Sequence, residues 1–231
     1  MSVKVKDELP GAGLTALIIG HHGTIKDFLL QEGFEISKGI DEWDYDVVFL
    51  GGGPDVSPFL YGQRPIKETH FVMNRDFYEI QHIKCIPNWV PKIGICRGAQ
   101  LLCVLNGGSL YQDVDGHRKS HPIIDEASGL AINEVSSTHH QMMDIAYCGD
   151  SAELIAWSKT SKVKKEDGAS YKRSERLDWK DPEVVHFRHS NSLCVQFHPE
   201  YTMKGSECRR YFFDVMERAF GEYLTQSEGA A

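Results

Sequence analysis

Residues 92–100 read KIGICRGAQ, which sets Cys96 at a corner between Gly94 and Gly98. A short apolar run precedes the cysteine and a helix-like stretch follows it. A nucleophile on a strand-to-helix turn points out of the carboxyl edge of a sheet, where open α/β sheets bind ligands. Glycines suit such a cramped turn and leave room for a substrate to come close. The start of the next helix adds partial positive charge, which favours thiolate over thiol. The N–H of Arg97, directly after the cysteine, is placed to help hold an oxyanion.

A cysteine nucleophile needs a base, and the base needs a group to orient it. CVQFHPE (194–200) offers both: His198 follows an apolar run, and Glu200 is a partner for its second ring nitrogen. LGGGPD (50–55) ends another apolar run, and backbone N–H groups at Gly52 or Gly53 are candidates for the second oxyanion donor. The loop is a poor phosphate cradle, because no Lys-Ser/Thr pair follows at P-loop spacing and no GxGxxG is present. Cys85, Cys103, Cys148, Cys194 and Cys208 lack glycine flanks and read as structural thiols.

The elements that position these groups are legible in outline. GLTALIIG (13–20), YDVVFLGGG (45–53) and KIGIC (92–96) read as buried strands. Between them, Ile25, Phe28 and Leu29 share one helical face, and residues 70–86 read as a second helix closed by Pro87 and Pro91. A third helix follows Cys96, with Leu101, Leu102 and Leu105 inward. Alternation of strand and helix predicts an α/β fold, a three-layer sandwich with a mostly parallel central sheet and helices on both faces. Residues 109–147 are polar and rich in histidine. AELIAWS (152–158), EVVHFRHS and NSLCVQFHP read as strands, and Phe212, Val215, Met216, Ala219, Phe220 and Leu224 mark a final packed helix. The charged stretch 159–182 reads as a solvated loop or hairpin, a surface insertion in a single domain spanning 1–231.

Composition narrows the function classes. The 231 residues, 41% hydrophobic and 25% charged, suit an ordinary globular domain. A net charge of −8 disfavours non-specific binding to nucleic acid or an anionic membrane. No apolar run spans a bilayer, the N-terminus lacks the core of a signal peptide, and six scattered cysteines without a CxxC pair suggest a reducing cytoplasm. Eleven histidines raise the question of a metal. HRKSH (117–121) and His139–His140 are far apart in the chain and pair with no cysteine at finger-like spacing, so neither metal nor cofactor is expected. His21 and His22 read as surface residues near the cleft edge, and His186 and His189 carry no assigned role.

GICRGAQLL, VQFHPE and the GGGPD loop together resemble class I glutamine amidotransferases. GGGPDVSPFLYG (51–62), NRDFYE (74–79), GGSLYQDV (107–114) and STHHQ (137–141) more closely resemble their hydrolytic relatives, the gamma-glutamyl-gamma-aminobutyrate hydrolase-like enzymes. The matches run in the family's order from about residue 45 to residue 200. The resemblance implies a flavodoxin-like fold, a Cys96-His198-Glu200 triad, oxyanion donors at Gly52 or Gly53 and at Arg97, and hydrolysis of a γ-glutamyl amide through a thioester. It also implies that Gln100 and the THHQ segment, Thr138 with His139, His140 and Gln141, flank the glutamyl group. Arg75, with Asp76, and Tyr111 and Gln112 would lie near the pocket. Residues 142–190 depart from the subgroup pattern in a region that shapes the amine side. Two other readings remain open: a glutaminase subunit feeding ammonia to a separate synthetase, and a non-catalytic γ-glutamyl-binding relative. A small flavodoxin-like protease fits less well, since its histidine would directly follow the cysteine, where Arg97 stands.

Overall fold

A computed structural model describes residues 10–20, 23–175 and 179–227. His21, His22 and the N-terminal residues 1–9 lie outside the described residues, as do 176–178 and 228–231. In chain order the first half forms β1 (Thr15–Ile19), α1 (Gly23–Gln31), β2 (Glu35–Ile36), β3 (Val47–Leu50), α2 (Met73–Cys85), β4 (Lys92–Ile95) and α3 (Arg97–Leu105). The second half adds β5 (Ser109–Tyr111), β6 (Asp113–Val114), β7 (His121–Asp125), β8 (Ala131–Val135), β9 (Met142–Asp144) and β10 (Glu153–Ser158). It ends with β11 (Val163–Glu166), β12 (Ala169–Lys172), β13 (Asp181–Phe187), β14 (Ser192–Val195) and α4 (Glu207–Ser227).

Among the described residues, nine strands form one sheet in the order β2-β1-β3-β4-β14-β13-β10-β7-β8. Pairing is parallel from β2 to β14 and antiparallel from β14 to β8. VVFL, KIGI and SLCV are buried at every position, as strands covered on both faces must be. One core holds Ile25, Phe28 and Leu29 of α1 with Phe212, Val215, Met216 and Phe220 of α4. The other holds Ala99, Leu101, Leu102 and Cys103 of α3 with Ile83 of α2. Helices therefore cover both faces, and the expected α/β sandwich is the fold. No helix among the described residues is long and apolar enough to cross a membrane.

Two expectations need correction. Leu105 is 37% exposed rather than inward, because it is the last residue of α3, and Val104 takes a buried place instead. The polar stretch 109–147 contains five short strands, of which β6 pairs with β11 of the β11–β12 hairpin. The hairpin expected in 159–182 is present, but its base is not solvated. Ser161, Lys164, Trp179 and Asp181 are buried, and Lys164 Nζ lies 2.9 Å from Asp181 Oδ1.

Candidate active site

Cys96 stands at the β4–α3 junction with φ 53° and ψ −109°. A non-glycine residue held there stores about 1–3 kcal/mol of strain, so its surroundings must fix it. They do so through main-chain contact. The Cys96 N–H donates to Val195 O at 2.8 Å. A Cβ on Gly94 would lie 2.4 Å from the Gly98 backbone, and one on Gly98 would lie 2.3 Å from Leu50 O. The flanking glycines thus clear space for neighbouring backbone. They do not open a path for substrate, as the sequence suggested, because α3 sits directly on β3 and β4.

β14 lies beside β4 with Val195 opposite Ile95, so the chain leaving β14 brings His198 to the edge that carries Cys96. A Cβ on Gly52 would lie 3.1 Å from His198 Cε1 and 3.7 Å from Cys96 Cβ, so three separate segments meet at one point. His198 Nδ1 is 2.7 Å from Glu200 Oε1, and its Nε2 is 3.0 Å from Thr138 Oγ1. The ring stacks on Tyr201 at 4.3 Å between centroids. The His198 N–H donates to Ser136 O at 2.8 Å. Burial pulls the ring pKa down, but the neighbouring Cys96 sulfur and Glu200 carboxylate outweigh it and hold the value up at about 10. The sequence did not single out Tyr201, and it set Thr138 beside the glutamyl group rather than against the candidate base. Their signals were present: one lies inside STHHQ and the other directly follows HPE.

Gly53 has φ 147°, and a Cβ there would fall 1.9 Å from Arg75 Nη1. Arg75 Nη2 donates to Gly52 O at 2.8 Å, and its Nε pairs with Glu79 Oε1 at 2.8 Å. Arg75, on α2, thus holds the glycine loop that meets Cys96 and His198. The Arg97 side chain is buried in ion pairs with Asp76 and Glu79, tying the start of α3 to α2. Asp76 also accepts from the Ser57 N–H at 3.1 Å.

The remaining predicted residues scatter. Gln100 Nε2 donates to Gln141 O at 3.2 Å, which joins α3 to the 137–141 segment. The Gln141 side-chain amide is buried and makes no hydrogen bond among the described residues. Gln112, expected near the substrate, is fully buried, and its amide is used up on Gln63, Arg64 O, the Ile66 N–H and Thr69. It braces the 63–69 loop instead. Tyr111 lines a cavity of about 230 Å³ with Met143, Lys164 and Trp179, apart from Cys96 and His198. His140 is clamped between Asp55 at 3.0 Å and Asp113 at 3.4 Å. His139 is buried beside His117 and Glu183. Burial pushes up the thiols of Cys103, Cys148 and Cys194, and that of Cys208 to about 11, which leaves them protonated.

A family model for peptidase C26 matches residues 35–200, a span that holds the glycine loop, Cys96, His198 and Glu200. The chain belongs to the peptidase C26 family. It is thereby a member of the class I glutamine amidotransferase-like superfamily, an enzyme class of hydrolases and amidotransferases. The chain is 30% identical to the glutamine amidotransferase-like protein YvdE of Lactococcus lactis, over 74% of this chain and 72% of that one. It is 29% identical to a glutamine-hydrolyzing GMP synthase subunit of Ignicoccus hospitalis, over 87% and 88%. A glutamine amidotransferase structure from Thermotoga maritima superposes with a TM-score of 0.53 at 16% identity, over 93% of this chain and 85% of that one, a likeness of fold alone.

Proposed function

We propose that the chain hydrolyses a γ-glutamyl amide, either glutamine or a γ-glutamyl amine, with Cys96 as nucleophile, His198 as acid and base, and Glu200 as its orienting partner. The observation that carries this reading is the meeting of the glycine loop, Cys96 and His198 at one point of the sheet edge, with His198 Nδ1 2.7 Å from Glu200 Oε1. The Cys96 thiolate adds to the γ-carbonyl carbon, and the carbonyl oxygen takes the negative charge. N–H groups of Arg97 and of Gly52 or Gly53 hold that oxyanion. His198 gives its proton to the leaving nitrogen as the C–N bond breaks, leaving a γ-glutamyl thioester and free ammonia or amine. His198 then takes a proton from water, which attacks the thioester, and the thiol and glutamate are released.

Arg75 is a positioning residue here. A peptide is planar and trans, so drawing Gly52 O onto Arg75 turns the Gly53 N–H the opposite way, free to serve the oxyanion. Of the remaining candidates, Gln141 and Gln100 suit the glutamyl side best, since Gln141 keeps unused hydrogen-bonding capacity. Free thiols at all six cysteines suit a reducing compartment such as the cytoplasm.

Incubating the purified protein with glutamine and a panel of γ-glutamyl amines tests the reading. Glutamate release is expected, with loss of turnover in Cys96→Ser and Cys96→Ala at unchanged circular dichroism. Turnover that survives either variant would show the nucleophile to be misassigned. The likeness to the glutamine-hydrolyzing GMP synthase subunit supports a second reading, in which the ammonia passes to a separate synthetase. Glutaminase activity that is weak alone and rises with a co-purifying synthetase favours that reading over a free hydrolase.

A further inference from the structure

Three buried side chains from distant parts of the chain aim ligand atoms at one another: His117 before β7, His139 before β9, and Glu183 on β13. One ligand-type atom of each lies within 4.8 Å of the other two. His117 Nδ1 is 3.2 Å from Glu183 Oε1, and His139 Nε2 is 3.9 Å from Glu183 Oε2. Neither contact has hydrogen-bond geometry. His117 Nδ1, His139 Nε2 and Glu183 Oε2 have no hydrogen-bond partner among the described residues. Buried polar atoms are seldom left without a partner, and here three converge.

The outer contacts fix which atoms face inward. His139 Nδ1 is 2.9 Å from Gln141 O, a carbonyl that only accepts, so the ring proton sits on Nδ1. The Nε2 lone pair then faces a carboxylate oxygen, which is an acceptor against an acceptor. His117 Nε2 is 3.2 Å from Asp181 Oδ2, the carboxylate–imidazole pairing that orients metal-bound histidines. Asp181 is in turn held by Ser161 Oγ at 2.6 Å and Lys164 Nζ at 2.9 Å. His121 Nε2 meets Glu183 Oε1 at 2.8 Å, which orients the carboxylate.

We propose that His117 Nδ1, His139 Nε2 and the Glu183 carboxylate bind one divalent cation of the zinc class. Two imidazoles and a carboxylate suit zinc and its neighbours, whereas magnesium and calcium take oxygen ligands. Zinc bonds of about 2.0–2.2 Å place tetrahedral ligand atoms roughly 3.3 Å apart, so the three ligand atoms, now within 4.8 Å of one another, would draw together on the ion by small side-chain rotations. Water completes the set, since both His121 ring nitrogens are engaged, Nε2 with Glu183 and Nδ1 with Lys119 O. The ion is structural and touches no reacting atom. It anchors the strip next to the candidate base: Ser137 Oγ donates to His117 O at 2.5 Å, Thr138 Oγ1 lies 3.0 Å from His198 Nε2, and Ser136 O accepts from the His198 N–H. The site stands whether or not Cys96 acts on γ-glutamyl amides.

The full chain, prepared without a histidine tag and stripped with a chelator, is dialysed against zinc or cobalt(II). One bound equivalent by elemental analysis is expected, with a raised melting temperature and, for cobalt, the intense visible bands of a four-coordinate nitrogen–oxygen site. His139→Gln and Glu183→Gln should lose the equivalent and the bands, and Cys96→Ser should keep both. No bound equivalent, or an equivalent retained by both site variants, overturns the proposal. If the site variants do not fold, the wild-type cobalt spectrum decides. Four-coordinate bands without thiolate charge transfer support the site, and thiolate charge transfer or only faint six-coordinate bands overturn it.

Discussion

At the scale of single residues, the raised pKa of His198 sets a pH dependence. Burial alone would lower it, so the value near 10 rests on Cys96 and Glu200. A ring that must protonate the leaving nitrogen loses activity as pH climbs past its own pKa. Glu200→Gln keeps the shape but removes the negative charge beside Nδ1, so the ring pKa falls. The alkaline limb of the kcat/KM profile should therefore move to lower pH, with kcat down by roughly 10²-fold or more. An alkaline limb that stays in place would mean that Glu200 does not tune this ring. Cys96, His198 and Glu200 were legible because each sits in a short segment with its own turn chemistry, glycine-flanked or proline-stopped. The His117, His139 and Glu183 cluster was not. Its members share no local spacing, and only the packing of β13 against the loops before β7 and β9 brings them together.

At the scale of elements, two contacts carry testable energy. Arg97 joins α3 to Asp76 and Glu79 of α2 in a buried ion network. Arg97→Met leaves two carboxylates buried with less compensation, and a loss of about 3–5 kcal/mol is expected in urea denaturation. An unchanged midpoint would show that the network contributes nothing net. Asp125 at the end of β7 joins α4 through Tyr211 and Arg218, each at 2.8 Å. Burial raises its pKa, but hydrogen bonds from Arg218, Ser128 and Tyr211 outweigh burial and hold it well below the usual carboxylate range. A depressed folded-state pKa contributes stability above the ordinary aspartate value of about 3.9, and that stability is lost as pH falls. Asp125→Asn should lower the melting temperature at neutral pH, and the gap to wild type should narrow near about pH 2. A gap that is constant with pH would sink the argument. Elements with continuous buried runs, such as VVFL and KIGI, could be read directly from the chain. β5, β6 and β9, with two or three residues each, are too short to show any period, and their pairing is set by long-range contacts with β9, β11 and β5.

At the scale of the molecule, the β11–β12 hairpin leans on the 63–69 loop. Arg64 pairs with Asp167 at 3.2 Å, and Lys165 reaches Glu68 at 3.0 Å and Asp113 at 2.8 Å. These partly exposed pairs are screened by solvent, so removing them loosens the contact without unfolding the chain. Lys165→Ala combined with Asp167→Ala should change KM among γ-glutamyl amines and leave the rate of Cys96 alkylation as it was. Equal KM values across the panel would separate the hairpin from substrate choice. The sheet order has a consequence for biosynthesis. β14 fills the middle of the sheet, between β4 and β13, although almost all of the polypeptide precedes it. A nascent chain leaving the ribosome therefore carries its sulfur for about a hundred residues of translation before the imidazole emerges. Until then Cys96 lacks the base and the orienting carboxylate that the proposed reaction requires, and both arrive with the strand that joins the two halves of the sheet.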